Sequence, residues 1–102
     1  MKIELLYFNH CATWETTLAD LRQALSAVGR QEQVSLVKVE SQQEAERLRF
    51  LGSPTVRVNG NDVESGIPST GFGMECRLYW VEGRPTGSPP MQWIESAIAA
   101  AR

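Results

Sequence analysis

Cysteine and histidine are scarce in this sequence, and that scarcity removes several chemistries at once. Two cysteines, Cys11 and Cys76, are too few for the disulfide framework of a small secreted scaffold. One histidine, His10, gives no ligand set for a zinc site, and neither a metal nor a cofactor is expected. Charge of one sign is missing too. The 10 Lys and Arg stand against 12 Asp and Glu, leaving a net charge of −2. The basic residues are scattered, so no nucleic-acid footprint is present. No apolar run reaches the ~18 residues that span a bilayer, so no membrane partner is expected. The apolar run after Lys2 is short and has a strand pattern rather than that of a signal peptide, which makes the cytosol the expected compartment. The 102 residues suffice for one domain, 1–102, with one modest core.

Hydrophobic periodicity supplies the elements. Residues 2–8 predict a strand. Trp14, Leu18, Leu21, Leu25 and Val28 recur at helical spacing with Ala24 on the same face, and Gly29 is placed to close that helix. Val34, Leu36, Val37 and Val39 predict a strand apolar on both faces, as in central or parallel strands. Ser41 and Glu44 have the spacing of a capping box. The helix after them turns Ala45, Leu48 and Leu51 inward and is expected to end at Gly52. Thr55–Val58 alternates as a strand, and Asn59-Gly60 is a strong turn signal. Four of the 8 glycines fall between Gly60 and Met74, with Ser65, Pro68, Ser69 and Thr70, and predict a long loop. Arg77–Val81 reads as the fourth strand and Gly83–Gly87 as a loop. Ser88 and Pro89 open a last helix with Met91, Ile94, Ala97, Ile98 and Ala101 inward. The order β-α-β-α-β-β-α predicts an α/β fold: a four-stranded mixed sheet with helices on both faces.

In this layout Cys11 occupies the strand-to-helix turn, at the positive end of the first helix. Backbone N–H groups and the helix dipole stabilise a thiolate there. His10 beside it could stabilise that thiolate or accept its proton. The competing readings are a small buried cysteine and an ordinary loop histidine. Asp62, Glu64 and Glu75 have no regular spacing, make a weak calcium signal, and read as solvated carboxylates.

A cysteine after the first strand, with Gly52-Ser53-Pro54-Thr55 opening the third, resembles the thioredoxin-like family. The closer likeness is to small bacterial thioredoxin-like proteins grouped with selenoprotein-related sequences and with some described by similarity to alkylmercury lyase. It is carried by Leu48–Thr55, Asn59–Glu64, Cys76–Tyr79 and Pro89–Ile94. The resemblance implies a thioredoxin-like fold in which Pro54 is cis and lets the Ser53 backbone meet an extended substrate beside Cys11. It implies thiol–disulfide chemistry with a thiol or disulfide substrate, glutathione or protein. The chain departs from the family's Cys-x-x-Cys at Trp14, which stands where the second cysteine belongs. Cys11 is then expected to work as a monothiol, its second thiol coming from glutathione, a partner or Cys76.

The candidate site is therefore Cys11 as nucleophile, Thr13 and Trp14 shaping its turn, and His10, Ser53, Pro54 and Arg84 around the substrate. Arg84 with the N-terminus of the last helix could hold a carboxylate such as a glutathione terminus; the bland reading is a surface arginine in a turn. Trp14, Trp80 and Trp93 could line a groove or simply pack. If the fourth strand ran antiparallel to the third, Cys76 would lie at the far end of the sheet, roughly 16 Å away. A disulfide needs Cα atoms within about 7 Å, so no Cys11–Cys76 bond within one chain is expected. The competing functions are a non-catalytic thioredoxin-fold binding module, and soft-metal or organomercurial handling, for which a homodimer could supply a shared site.

Overall fold

The computed structural model describes residues 1–30, 33–64, 66 and 71–101. Ser65, Pro68, Ser69 and Thr70 of the expected loop lie outside the described residues. The elements run β1 (Ile3–Tyr7), α1 (Thr13–Ala27), β2 (Val34–Lys38), α2 (Gln42–Leu48), β3 (Thr55–Val58), β4 (Asn61–Asp62), β5 (Tyr79–Val81), β6 (Arg84–Thr86) and α3 (Met91–Ala101). The first four strands form one mixed sheet in the order β2-β1-β3-β4. β1 pairs parallel with β2 and antiparallel with β3.

Alternation along β1 divides the core between the two faces of this sheet. Ile3 and Leu5 join Leu18, Leu21, Ala24 and Leu25 of α1 and Ile94 and Ile98 of α3. Leu6 and Phe8 join Val39, Ala45 of α2, Phe50 and Cys11. Each fully buried aliphatic side chain contributes about 2 kcal/mol of transfer free energy. The helices thus lie on both faces, and the α1 stripe is the one its spacing predicts, with Trp14 and Val28 at its margins. Gly29 (φ 72) closes α1: its N–H and that of Arg30 donate to the carbonyls of Ser26 and Leu25, the Schellman arrangement.

Local expectations fail in four places. β2 is parallel but lies at the sheet edge, leaving Leu36 46 % exposed. The Ser41 hydroxyl accepts from the Glu44 N–H as expected, but the Glu44 carboxylate reaches past the cap to the Glu40 N–H. α2 ends at Arg49, in the left-handed region at φ 55, which frees Gly52 for another task described below. Finally, the fourth strand of the sheet is Asn61–Asp62, made by the Asn59-Gly60 turn. The 79–81 segment instead pairs with 84–86 in a separate hairpin. Glu82 and Gly83 both take positive φ, the requirement of a tight hairpin turn that matches strand twist.

Candidate functional site

Residues from four parts of the chain meet at the end of β1. The antiparallel register sets Leu6 opposite Thr55, which brings the start of β3 beside the turn leading to Cys11. The Ser53–Pro54 bond is cis, as expected. The buried Ser53 hydroxyl accepts from the Phe8 N–H at 3.2 Å, and the Thr55 hydroxyl donates to the Gly52 carbonyl at 2.6 Å. Tyr79 donates its hydroxyl to the Pro54 carbonyl at 2.6 Å. Ala12 caps α1 without a side-chain hydrogen bond, so the helix opens onto Cys11 with no polar side chain at its cap. Gly87 lets the chain pass the first turn of α1, where a Cβ would come within 2.9 Å of Thr13 Cγ2.

The decisive departure from the sequence reading is Cys76. It forms a disulfide with Cys11, with Cα atoms 5.8 Å apart and a sequence separation of 65. The expectation of a distant Cys76 rested on a fourth strand beginning at Arg77 and running antiparallel to β3. In fact the chain leaves β4 and travels back along β3, the Val63 N–H donating to the Val56 carbonyl, and Gly73 N–H reaches the Phe50 carbonyl. It arrives at the Pro54 end, where Cys76 makes an isolated parallel bridge with Ser53. The Ser53 N–H donates to the Glu75 carbonyl at 2.7 Å, and the Arg77 N–H donates to the Ser53 carbonyl at 2.9 Å. The Ser53 backbone, expected to meet substrate, is therefore engaged by the chain's own 75–77 segment. Gly52 permits that approach: at φ +122 a Cβ would stand 2.9 Å from both the Glu75 carbonyl oxygen and Arg77 Cβ.

Arg77 fixes the register of Cys76. Its side chain is buried and donates to Thr55 Oγ1 at 3.1 Å, to both carboxylate oxygens of Asp62 at 2.8 and 3.1 Å, and to Glu64 at 2.7 Å. The guanidinium carbon also lies 4.3 Å from the centroid of the Tyr79 ring. Asp62 and Glu64 are thus partners of a buried cation, which corrects their reading as solvated carboxylates. Burial works against the Arg77 charge, but hydrogen bonds and attraction from Asp62, with contributions from Tyr79 and Glu64, raise its pKa above that of an ordinary arginine.

Burial also raises the Tyr79 pKa, with Arg77 opposing and Asp62 and Glu64 adding to the rise. A tyrosine that keeps its proton in the fold and loses it when unfolded makes stability fall as pH rises above the unfolded value, about 10. Chemical denaturation from pH 8 to 11 should show a plateau and then a decline beginning near pH 10. A flat profile to pH 11 would remove Tyr79 from the support of the Pro54 turn.

Of the other expected site residues, Ser53 meets the disulfide-bonded segment with Pro54 next to it in the chain, His10, Thr13 and Trp14 lie within three positions of Cys11 in the chain, and Arg84 lies on the separate hairpin. His10 is exposed, its ring 5.7 Å from that of Phe8. Thr13 is exposed at the start of α1. Trp14 stacks on Tyr7 with centroids 4.2 Å apart, which makes it part of the packing beneath the turn. Pro54 is buried. Arg84 is exposed beside the hairpin turn, in a strand rather than the expected loop, with Val81 as its ladder partner. Trp93 meets Tyr79 edge to face, whereas Trp80 is 60 % exposed. A groove of about 730 Å³ runs between Trp80, Trp93, the small residues of α3 and the distal end of β3 at Val58; Trp80 and Trp93 thus line a groove, Trp14 does not, and neither Cys11 nor any other residue of the expected thiol site lines it. Among the described residues no cluster of three or more His, Cys, Asp or Glu is arranged for a metal, and no helix is long and apolar enough to cross a membrane.

No protein-family model, curated protein or solved structure matches the chain.

Proposed function

We propose that this chain is a thiol–disulfide oxidoreductase of thioredoxin-like fold that cycles Cys11 and Cys76 between disulfide and dithiol. The observation that carries the reading is the disulfide itself, set between the N-terminus of α1 and the segment bridged to Ser53. The monothiol reading then becomes a dithiol one, in which Cys76 supplies the thiol missing at Trp14. Two further features support it. The bond joins a buried cysteine to an exposed one, so the pair meets solvent on one side. The 75–77 segment is held by backbone hydrogen bonds and by Arg77, so contacts other than the covalent link also hold Cys76 beside Ser53.

In the cycle, an external thiolate attacks the disulfide and one protein sulfur leaves as a thiolate. A second external thiol then resolves the mixed disulfide, giving the dithiol protein and an external disulfide. Run in reverse, the dithiol reduces a substrate disulfide. The substrate class is a small thiol such as glutathione, or a protein thiol or disulfide. In the cytosol, the compartment the sequence leads one to expect, disulfides are mostly transient and catalytic or sensing, which agrees with this reading.

The test is reduction of a small aromatic disulfide in the presence of glutathione. The wild-type chain should accelerate it, and Cys11→Ser and Cys76→Ser should each accelerate it less, any remnant being a monothiol cycle in which glutathione resolves the mixed disulfide. Acceleration equal to wild type in both single variants would end the dithiol reading.

A second reading has its own support. The Ser53 edge is filled by the chain itself and Cys11 is only 4 % exposed, features that suit a non-catalytic binding module stapled by a structural disulfide. Wild-type protein that never exchanges with glutathione would favour it. Soft-metal or organomercurial handling would require the reduced pair, and mercury binding unchanged in Cys11→Ser would remove it.

A further inference from the structure

The two sulfurs of this bond are not equivalent. Cys11 is 4 % exposed and packs among Leu6, Phe8, Ala45 and Phe50, whereas Cys76 lies on the exposed side. Attack on a disulfide needs a thiolate to approach the target sulfur opposite the bond that breaks, and the rate depends on access and on how well the leaving sulfur carries charge. Cys11 is enclosed by the apolar cluster, which hinders approach to its sulfur, whereas Cys76 is an exposed residue. Attack at Cys76 expels the Cys11 sulfur, one residue before the N-cap Ala12 of α1, where negative charge is favoured.

We infer that Cys76, rather than the helix-end Cys11, is the cysteine that meets the partner thiol or disulfide, and that Cys11 is the resolving residue. This rests on the exchange function proposed above and assigns its two roles. An incoming thiolate bonds to the Cys76 sulfur while the Cys11–Cys76 bond breaks, and its electron pair departs with Cys11. In the reductive direction the Cys76 thiolate attacks the substrate disulfide, expelling one substrate thiolate, and Cys11 then displaces the other and re-forms the internal bond. The assignment inverts what the helix-end position of Cys11 implies. The burial of Pro54 and the engagement of the Ser53 backbone agree with it, because a partner then approaches Cys76 from its solvent side rather than along the Ser53 edge.

The test uses the wild-type protein. The oxidised chain is mixed with reduced glutathione, quenched in acid at short times, alkylated, and mapped by peptide mass spectrometry. Glutathione should appear on Cys76 with Cys11 alkylated. Separately, Cys11→Ser should react with oxidised glutathione at least about tenfold faster than Cys76→Ser, because only the former leaves the accessible thiol. Glutathione found on Cys11, or equal rates for the two variants, overturns the assignment while leaving the exchange function standing. A chain that takes up no glutathione and is never reduced overturns the exchange function, and the assignment with it.

Discussion

Replacing Arg77 with methionine should cost about 3–5 kcal/mol of stability, because it removes one partner of a buried ion pair and leaves the other. Asp62 is the group left behind: its side chain is 3 % exposed and that of Arg77 5 %. Glu64 is the lesser concern, since 28 % of its side chain reaches solvent and can rehydrate. The double variant Arg77→Met, Asp62→Asn should be more stable than Arg77→Met alone, because the orphaned charge is gone. The effect also extends to the cysteines. Arg77 follows Cys76 directly and ties it to Thr55, so its loss should lower the fraction of chains that re-form the Cys11–Cys76 bond after reduction. Urea denaturation gives the first result and thiol counting after refolding the second. A stability loss under about 1 kcal/mol would class this network with surface ion pairs and remove its role in placing Cys76.

Gly52→Ala is expected to have an effect nearly as large through a different physical cause. The position combines a backbone conformation that L side chains rarely adopt, φ +122, with a Cβ site 2.9 Å from the Glu75 carbonyl oxygen and from Arg77 Cβ. Strain and overpacking together should cost roughly 3 kcal/mol or more. The neighbour that must yield is backbone, and it is the segment hydrogen-bonded to Ser53 on either side of Cys76. The variant should therefore lose both stability and disulfide yield. Gly60→Ala is the matched control: it too sits at positive φ, but nothing lies within 4 Å of its Cβ site. Gly60→Ala should form the disulfide normally. Equal disulfide yield in Gly52→Ala and wild type would contradict the close approach of the two segments.

These two residues also show where the sequence was readable and where it was not. The α1 stripe, its Gly29 stop, the Ser41 cap and β3 all rest on local signals, a periodicity or a cap within a few residues, and the structure has them. The nearness of Pro54 to Cys11 followed from antiparallel pairing of two recognisable strands. The place of Cys76 is not legible in the sequence because it depends on a three-residue bridge between segments more than twenty positions apart, too short for any alternation. Tyr79–Val81 reads as a sheet strand by composition. Pro85 hides the strand it pairs with, since proline lacks a ladder donor. Gly52 carries the local signature of a helix stop, a glycine after a helical stretch, but Arg49 does that work and Gly52 accommodates a distant backbone. Asp62 and Glu64 carry no local sign of a partner because their cation is 15 and 13 positions away.

The partner of Cys11 is Cys76, and the reduction potential of the pair decides whether the bond exchanges or serves as a staple. The chain would be equilibrated across a series of reduced-to-oxidised glutathione ratios, trapped with an alkylating reagent and weighed. An exchangeable pair should show a midpoint within the range that glutathione can set, above roughly −300 mV, where labile and catalytic disulfides lie. A pair that stays oxidised at every ratio, with a potential below that value, would contradict exchange and make the bond a structural cross-link.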